Sequence, residues 1–262
     1  MILLLSPRKN ASTVAIETAA EAEGWTVCRL TNWRVPDKFL NLDEKIVAYG
    51  EPLFVAAMAD SLQLALIEPQ FDWLSSLPFE YTYRKIFLTS LKEARKYPST
   101  VFAKPADDKC FAARVYENGL AIEASQLLPE ETPVLLSEEV TWVVEHRYFI
   151  RERKVAATSP YLHNGEIIDD SFIESQSDAA ERNNFVQKLL NDFQIDLPPA
   201  VVIDVGYIAG SGWSVIEANP VFGAGIYRCD PNLVLAVLER SMVSQHQISD
   251  SDKRWIIVRQ LV

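Results

Sequence analysis

The chain has 262 residues, 48% hydrophobic and 23% charged, a balance that excludes wholesale disorder and supplies apolar side chains for one large or two modest cores. Its formal net charge of -11 excludes a non-specific nucleic-acid binder, because a phosphate backbone demands surplus Lys and Arg. The acidity is uneven: residues 81–160 carry 12 basic against 11 acidic side chains, and a locally basic stretch suits a bound polyphosphate better than a long polyanion. Cys28, Cys110 and Cys229 are far apart, with no metal-ligand spacing, and predict reduced thiols in a cytoplasmic protein. No apolar run reaches membrane-spanning length, and Ile2–Leu5 lacks the length and the basic leader of a signal peptide, so no membrane partner is expected.

In chain order, Met1–Leu5 reads as a strand, Ser12–Glu23 as a helix stopped by Gly24, and Trp25–Leu30 as a second strand. This is a small βαβ unit of an open α/β sheet, and the loop Ser6–Asn10 lacks the glycine patterns of Rossmann or P-loop phosphate sites. Ala48–Leu66 holds a strand and a helix, and Pro69–Pro78 reads as a linker. Tyr83–Lys96 is expected to be a helix. Val101–Lys104 is a strand ended by Pro105, with Phe111–Tyr116 as its hairpin partner. Pro133–Leu136 is another strand, and Val140–Ile150 and Val155–Ser159 form a further hairpin. Ser177–Phe193 has the apolar spacing of an amphipathic helix, with Phe185, Val186, Leu189, Leu190 and Phe193 on one face. Pro231–Val243 closes the chain as a helix.

Between these helices, Val201–Tyr207 and Trp213–Asn219 flank the four-residue connection Ala209–Gly212 and read as a β-hairpin. With Ile208 opposite Trp213, counting places Asp204 opposite Glu217, and Asn219 shares their face. Two carboxylates that close repel unless a cation lies between them, and hard oxygen donors in this number suit magnesium with phosphate oxygens and water completing its shell. The alternative for the hairpin alone is a solvated polar face.

The order of these parts resembles the ATP-grasp domain, in which two α+β lobes close on ATP. The residues that carry the resemblance are Lys104 on a strand, Leu135–Val140, Glu145-His146-Arg147, and Asp204 with Glu217-Ala218-Asn219-Pro220. It covers roughly residues 81–240 and is closest in detail to a divergent, compact clade of that superfamily. The implied organisation is a small open α/β pre-ATP-grasp domain over 1–80 and an ATP-grasp domain over 81–262, with lobes 81–136 and 137–262. The resemblance implies that Lys104 reaches the α- and β-phosphates and that Lys109 or Arg114 supplies a second phosphate contact. The segment Ala106–Arg114 replaces the usual glycine-rich flap. Ser137, Glu138, Glu139 and Val140 would form the hinge whose backbone pairs with adenine. Glu145 would accept from ribose hydroxyls, and Asp204, Glu217 and Asn219 would ligate Mg2+. Arg147 and, by nearness in sequence, Arg228 would stabilise the transferred phosphoryl group. Gly223-Ala224-Gly225 would let backbone amides approach an anionic substrate.

The implied activity is an ATP- and magnesium-dependent carboxylate–amine ligase that works through an acyl phosphate, on small-molecule or peptide carboxylate and amine substrates. Two alternatives stand beside it: a phosphoryl transferase on the same fold, and a non-catalytic nucleotide-binding protein. Intact Asp204, Glu217 and Asn219 weigh against the last, and the missing glycine-rich flap weighs for it. A homodimer is compatible with the family.

Overall fold

Strand β1 (Ile2–Leu5) is buried at every position because it is the middle strand of a parallel sheet, between β2 (Thr26–Arg29) and β3 (Ile46–Tyr49). In the connecting helix α1 (Ala11–Ala22), Asn10 Oδ1 accepts from the Thr13 amide at 2.9 Å, and Thr13 Oγ1 accepts from the Asn10 amide at 3.0 Å. This reciprocal cap fixes where the helix begins. Gly24, at φ 75°, lets the chain turn away past its end. Helix α2 (Pro52–Ser61) and strand β4 (Leu64–Leu66) follow. The structure is a computed structural model that describes residues 1–40, 42–107, 109–125, 127–169 and 171–257; Asp108, in the loop after Lys104, lies outside them.

Residues 69–78, expected as a linker, contain the helical turn α3 (Trp73–Ser76), whose buried Trp73 donates its indole N–H to Asp196 O at 2.7 Å. A second turn, α4 (Phe79–Thr82), leads into strand β5 (Ile86–Ser90). The helix expected over 83–96 is thus a strand followed by a single turn, α5 (Leu91–Ala94), which Ser90 caps. Ile86, Phe87, Leu88 and Thr89 are strand formers, and pairing with Pro133–Ser137 outweighs a helical spacing that has no buried stripe behind it. β6 (Val101–Pro105), β7 (Arg114–Tyr116) and β8 (Pro133–Ser137) complete an antiparallel sheet in the order β5-β8-β6-β7.

The larger sheet is built from β9 (Trp142–Arg151), β10 (Lys154–His163), β11 (Glu166–Ile167) and, after helix α6 (Gln176–Asn191), β12 (Ala200–Ile208) and β13 (Gly212–Asn219). Their order is β11-β10-β9-β12-β13, which makes β13 an edge strand. One face packs Tyr148, Ile150, Ile203 and Val205 against Val186, Leu189 and Leu190 of α6. The other packs Phe149, Ala157, Ala200 and Val202 against the N-terminal sheet and helix α7 (Pro231–Arg240). Phe193, expected on the buried stripe, lies past the end of α6 and is 82% exposed beneath the Arg153 guanidinium. Strand β14 (Met242–Ser244) returns to pair with β4. Among the described residues no helix is long and apolar enough to cross a membrane.

The β12–β13 hairpin departs from the expected register at its turn. Ile208 pairs with Gly212 and Tyr207 with Trp213, so the connection is three residues rather than four. A bulge at Ile216 absorbs the offset, and Asp204 still faces Glu217.

On the α6 face of β9, His146 is 1% exposed, and neither ring nitrogen has a hydrogen-bond partner. Burial and the nearby Arg182 guanidinium push its pKa down to about 4, against the opposing pull of Glu174. A histidine held neutral in the fold but free to protonate when unfolded stabilises the protein above its unfolded pKa of 6.5 and ceases to as pH falls through about 4. The full effect is about 3 kcal/mol. In urea denaturation between pH 7 and pH 4, His146→Leu should therefore lose less stability than the wild type, and parallel profiles would refute the assignment.

Candidate active site

The two sheets face each other across a cavity of about 360 Å3, which falls within the roughly 300–1,000 Å3 of small-molecule pockets. Its apolar walls include Ile86, Phe102 and Leu135 from the first sheet and Trp142 and Ile216 from the second. Polar groups gather along one side: Lys104, Arg114, the run Ser137–Val140, and Glu217. Seven of the residues singled out in the sequence thus line one cavity. The run Ser137–Val140 passes from β8 towards β9 and crosses between the sheets there, with Glu138 N–H donating to Lys85 O at 3.1 Å.

Lys104 reaches across the cavity to the opposite sheet, where its Nζ donates to Glu217 Oε2 at 2.5 Å. Asn219 Nδ2 donates to Glu217 Oε1 at 2.8 Å. Burial works against the Glu217 charge, but Lys104 and Asn219 outweigh it and hold the carboxyl down at about 2. The pair is partly open, with side chains 17% and 29% exposed.

Behind this rim lies a fully enclosed bridge. Arg147 Nε and Nη2 donate to Asp204 Oδ1 and Oδ2 at 2.8 and 2.6 Å, and Nη1 donates to Gly225 O at 2.9 Å. Asp204 has no exposed surface; burial raises its carboxyl to about 6 against the pull of Arg147, which leaves it ionised at neutral pH. Burial likewise opposes the Arg147 charge, yet Asp204 holds the guanidinium protonated beyond its ordinary range. The same guanidinium lies 4.9 Å from the ring of Tyr227, which stacks on Tyr161 at 4.7 Å. Tyr161 Oη in turn donates to Glu145 Oε2 at 2.5 Å, and burial raises the Glu145 carboxyl.

Several expected residues lie outside the cavity lining. Glu145 and Arg147 belong to the network just described, Lys109 is exposed, and Arg228 Nη1 donates to Asp169 O at 3.0 Å on an outer loop. Asp204, Glu217 and Asn219 do share one sheet face, as the sequence predicts. Among the described residues no cluster of three His, Cys, Asp or Glu is arranged to hold a metal ion. As a donor set, two carboxylates and one amide suit a hard cation, and each Asp204 oxygen keeps a second lone pair beyond its bond to Arg147. Sequence reasoning missed Arg84, whose guanidinium lies 5.0 Å from the ring of Trp142 at the cavity wall. Burial pushes Arg84 down to about 10, with Glu217 opposing. No motif marked it.

Residues 81–237 match a family model of the ATP-grasp domain, the second family of its clade. No curated protein matches the sequence. Among solved structures, the RimK domain protein ATP-grasp from Sphaerobacter thermophilus superposes with a TM-score of 0.53 at 13% identity, over 90% of this chain and 98% of that one. D-alanyl-alanine synthetase A from Vibrio cholerae superposes at 0.51 and 10% identity, over 92% of this chain and 97% of that one. At such identities the likeness shows the fold alone: a mixed α/β chain with the ATP-grasp architecture.

The Trp142 wall depends on an absent side chain. A Cβ on Gly206 would lie 2.6 Å from Trp142 Cε3 and 2.9 Å from Ile216 Cδ1. Gly206→Ala should therefore cost about 1–3 kcal/mol in urea unfolding, as overpacking does, and less than half of that in a Trp142→Leu background. Equal costs in both backgrounds would show that the indole is not the obstruction.

Proposed function

The chain belongs to the ATP-grasp superfamily, in the clade whose second family it matches, and on that premise we propose that it is an ATP- and magnesium-dependent ligase joining a carboxylate to an amine. The observation that carries this reading is the Lys104–Glu217 pair across the mouth of the cavity. Each partner holds the place of a ligand group: Lys104 gives up Glu217 for the α- and β-phosphates, and Glu217 gives up Lys104 for a metal ion. Adenine would lie between the apolar walls with its edge on the backbone of Ser137–Val140, and Arg114 would supply a further phosphate contact. Glu217, Asn219 and Asp204 would hold magnesium, whose chemistry when bound is neutralisation of charge on the phosphates.

The substrate carboxylate would attack the γ-phosphorus and expel ADP, and an amine would then displace phosphate from the acyl phosphate. Arg147 acts here by fixing Asp204 and the Gly225 carbonyl, since all three of its side-chain nitrogens already donate. Arg228 and Lys109 are exposed and would approach ligand only with movement of their loops. Residues 1–80 would serve as the pre-ATP-grasp domain, with 81–136 and 137–262 as the two lobes. The free cysteines suit a cytoplasmic setting. That D-alanyl-alanine synthetase A shares the fold supports the ligase reading over phosphoryl transfer.

Calorimetric titration with ATP tests the nucleotide site. Wild type should bind ATP about tenfold or more tightly with magnesium than without it. Glu217→Ala should lose that difference while binding magnesium-free ATP at least as well, because Lys104 is released. No binding to the folded wild type would sink the nucleotide reading. Hydroxylamine added with ATP and a pool of carboxylates should yield a hydroxamate. Turnover that consumes ATP without ever giving one would favour phosphoryl transfer.

A further inference from the structure

Arg84, in the segment between α4 and β5, is 6% exposed and makes four side-chain hydrogen bonds. Its Nη1 donates to Val215 O at 2.8 Å, Thr82 O at 3.1 Å and Ser214 Oγ at 3.2 Å, and its Nη2 donates to Ile216 O at 3.0 Å. Successive carbonyls of a regular strand point to opposite edges. One guanidinium can reach both Val215 O and Ile216 O only because the bulge at Ile216 has turned the chain between them. β13 has β12 on one side and no strand on the other, so no neighbouring ladder supplies donors for these carbonyls. The planar fork of arginine supplies them from a distant part of the sequence.

The same short segment grips the other side of the cavity. Lys85 N–H donates to Glu138 Oε2 at 2.8 Å, and Lys85 O accepts from Glu138 N–H at 3.1 Å. Ser214 Oγ donates to Thr82 O at 2.6 Å, and Tyr83 between them takes a left-handed conformation at φ 44°. Residues 82–85 therefore form a crosspiece joined at one end to the run Ser137–Val140 and at the other to the bulge of β13.

We infer that Arg84 is a positioning residue: by pinning the two bulge carbonyls it sets the register that brings Glu217 opposite Asp204 and within reach of Lys104. Glu217 follows Ile216 directly, so loss of the bulge shifts it by one residue and turns its carboxylate to the other face of the sheet. The consequence for metal-dependent binding rests on the ATP-and-magnesium reading proposed above; the effect on register does not.

Arg84→Lys keeps the charge and removes the fork. In hydrogen–deuterium exchange of the nucleotide-free protein, residues 212–219 should exchange about tenfold faster in Arg84→Lys, with α6 unchanged. In calorimetry, ATP affinity with magnesium should fall about tenfold and affinity without magnesium by less than about threefold. Trp142→Leu, which alters the wall and leaves the bulge carbonyls paired, should lower both affinities by a similar factor. Wild-type exchange over 212–219 in Arg84→Lys overturns the inference, and so does an equal loss of both affinities. If the wild type binds no ATP, the nucleotide reading fails and the exchange comparison still decides the role of Arg84. If Arg84→Lys does not fold, Ser214→Ala, which removes one acceptor of the four, carries the same comparison, with faster exchange over 212–219 expected and unchanged exchange overturning the inference.

Discussion

A carboxylate and a guanidinium taken out of water must meet, since either left alone inside a protein costs several kcal/mol, about 3–5 where one partner is removed. Arg147 and Asp204 are both buried and directly opposed across β9 and β12, so this requirement acts at the middle of the larger sheet. The rest of that face is arranged around the pair. The third donor of Arg147 fixes the Gly225 carbonyl, its flat surface lies near Tyr227, and Tyr161 behind Tyr227 passes the network on to Glu145. A side chain that looks, by position, like a phosphate ligand is in this structure the fastener of its neighbours.

From that bridge outward the ionic contacts grade from fixed to exchangeable. Asp204 is wholly enclosed, while Lys104 and Glu217 at the cavity mouth retain some contact with water. Water contact lowers the cost of parting the rim pair, because each ion can be resolvated or handed to a ligand as it leaves. The inner bridge therefore keeps its geometry while the outer one changes partners. The Trp142 wall follows a similar logic by steric means: the bare Cα of Gly206 leaves room for the indole, and Arg84 lies against that ring.

Much of the site is legible in the sequence because sheet periodicity carries side-chain direction. Counting along two β-branched runs places Asp204 opposite Glu217, and the result holds although the turn is one residue shorter than expected, because the Ile216 bulge compensates. Lys104 and Ser137–Val140 follow from their order along the chain, and the cavity brings them together. Arg84 is not legible. Its partners are backbone carbonyls some 130 residues away, which no local pattern encodes. The surrounding residues also read as a helix, since short apolar runs fit either period until a pairing partner is known. Glu145 and Arg147 stand out as residues but point, by spacing, to ligand contacts, because spacing reveals which side chains share a face and not which of them satisfy one another.

The return of β14 to β4 has a separate consequence for how this chain can be altered. The N-terminal sheet does not own its core: Leu3, Val47 and Phe54 share one apolar cluster with Phe149 and Val202 from the large sheet and with Val234 and Leu238 of α7. A segment that could be traded between proteins as a cassette must bury its own apolar surface, and this one borrows the covering from sequence nearly two hundred residues downstream. Divergence in the first eighty residues is therefore coupled to divergence in α7 and β14, so the two ends of the chain must change in concert.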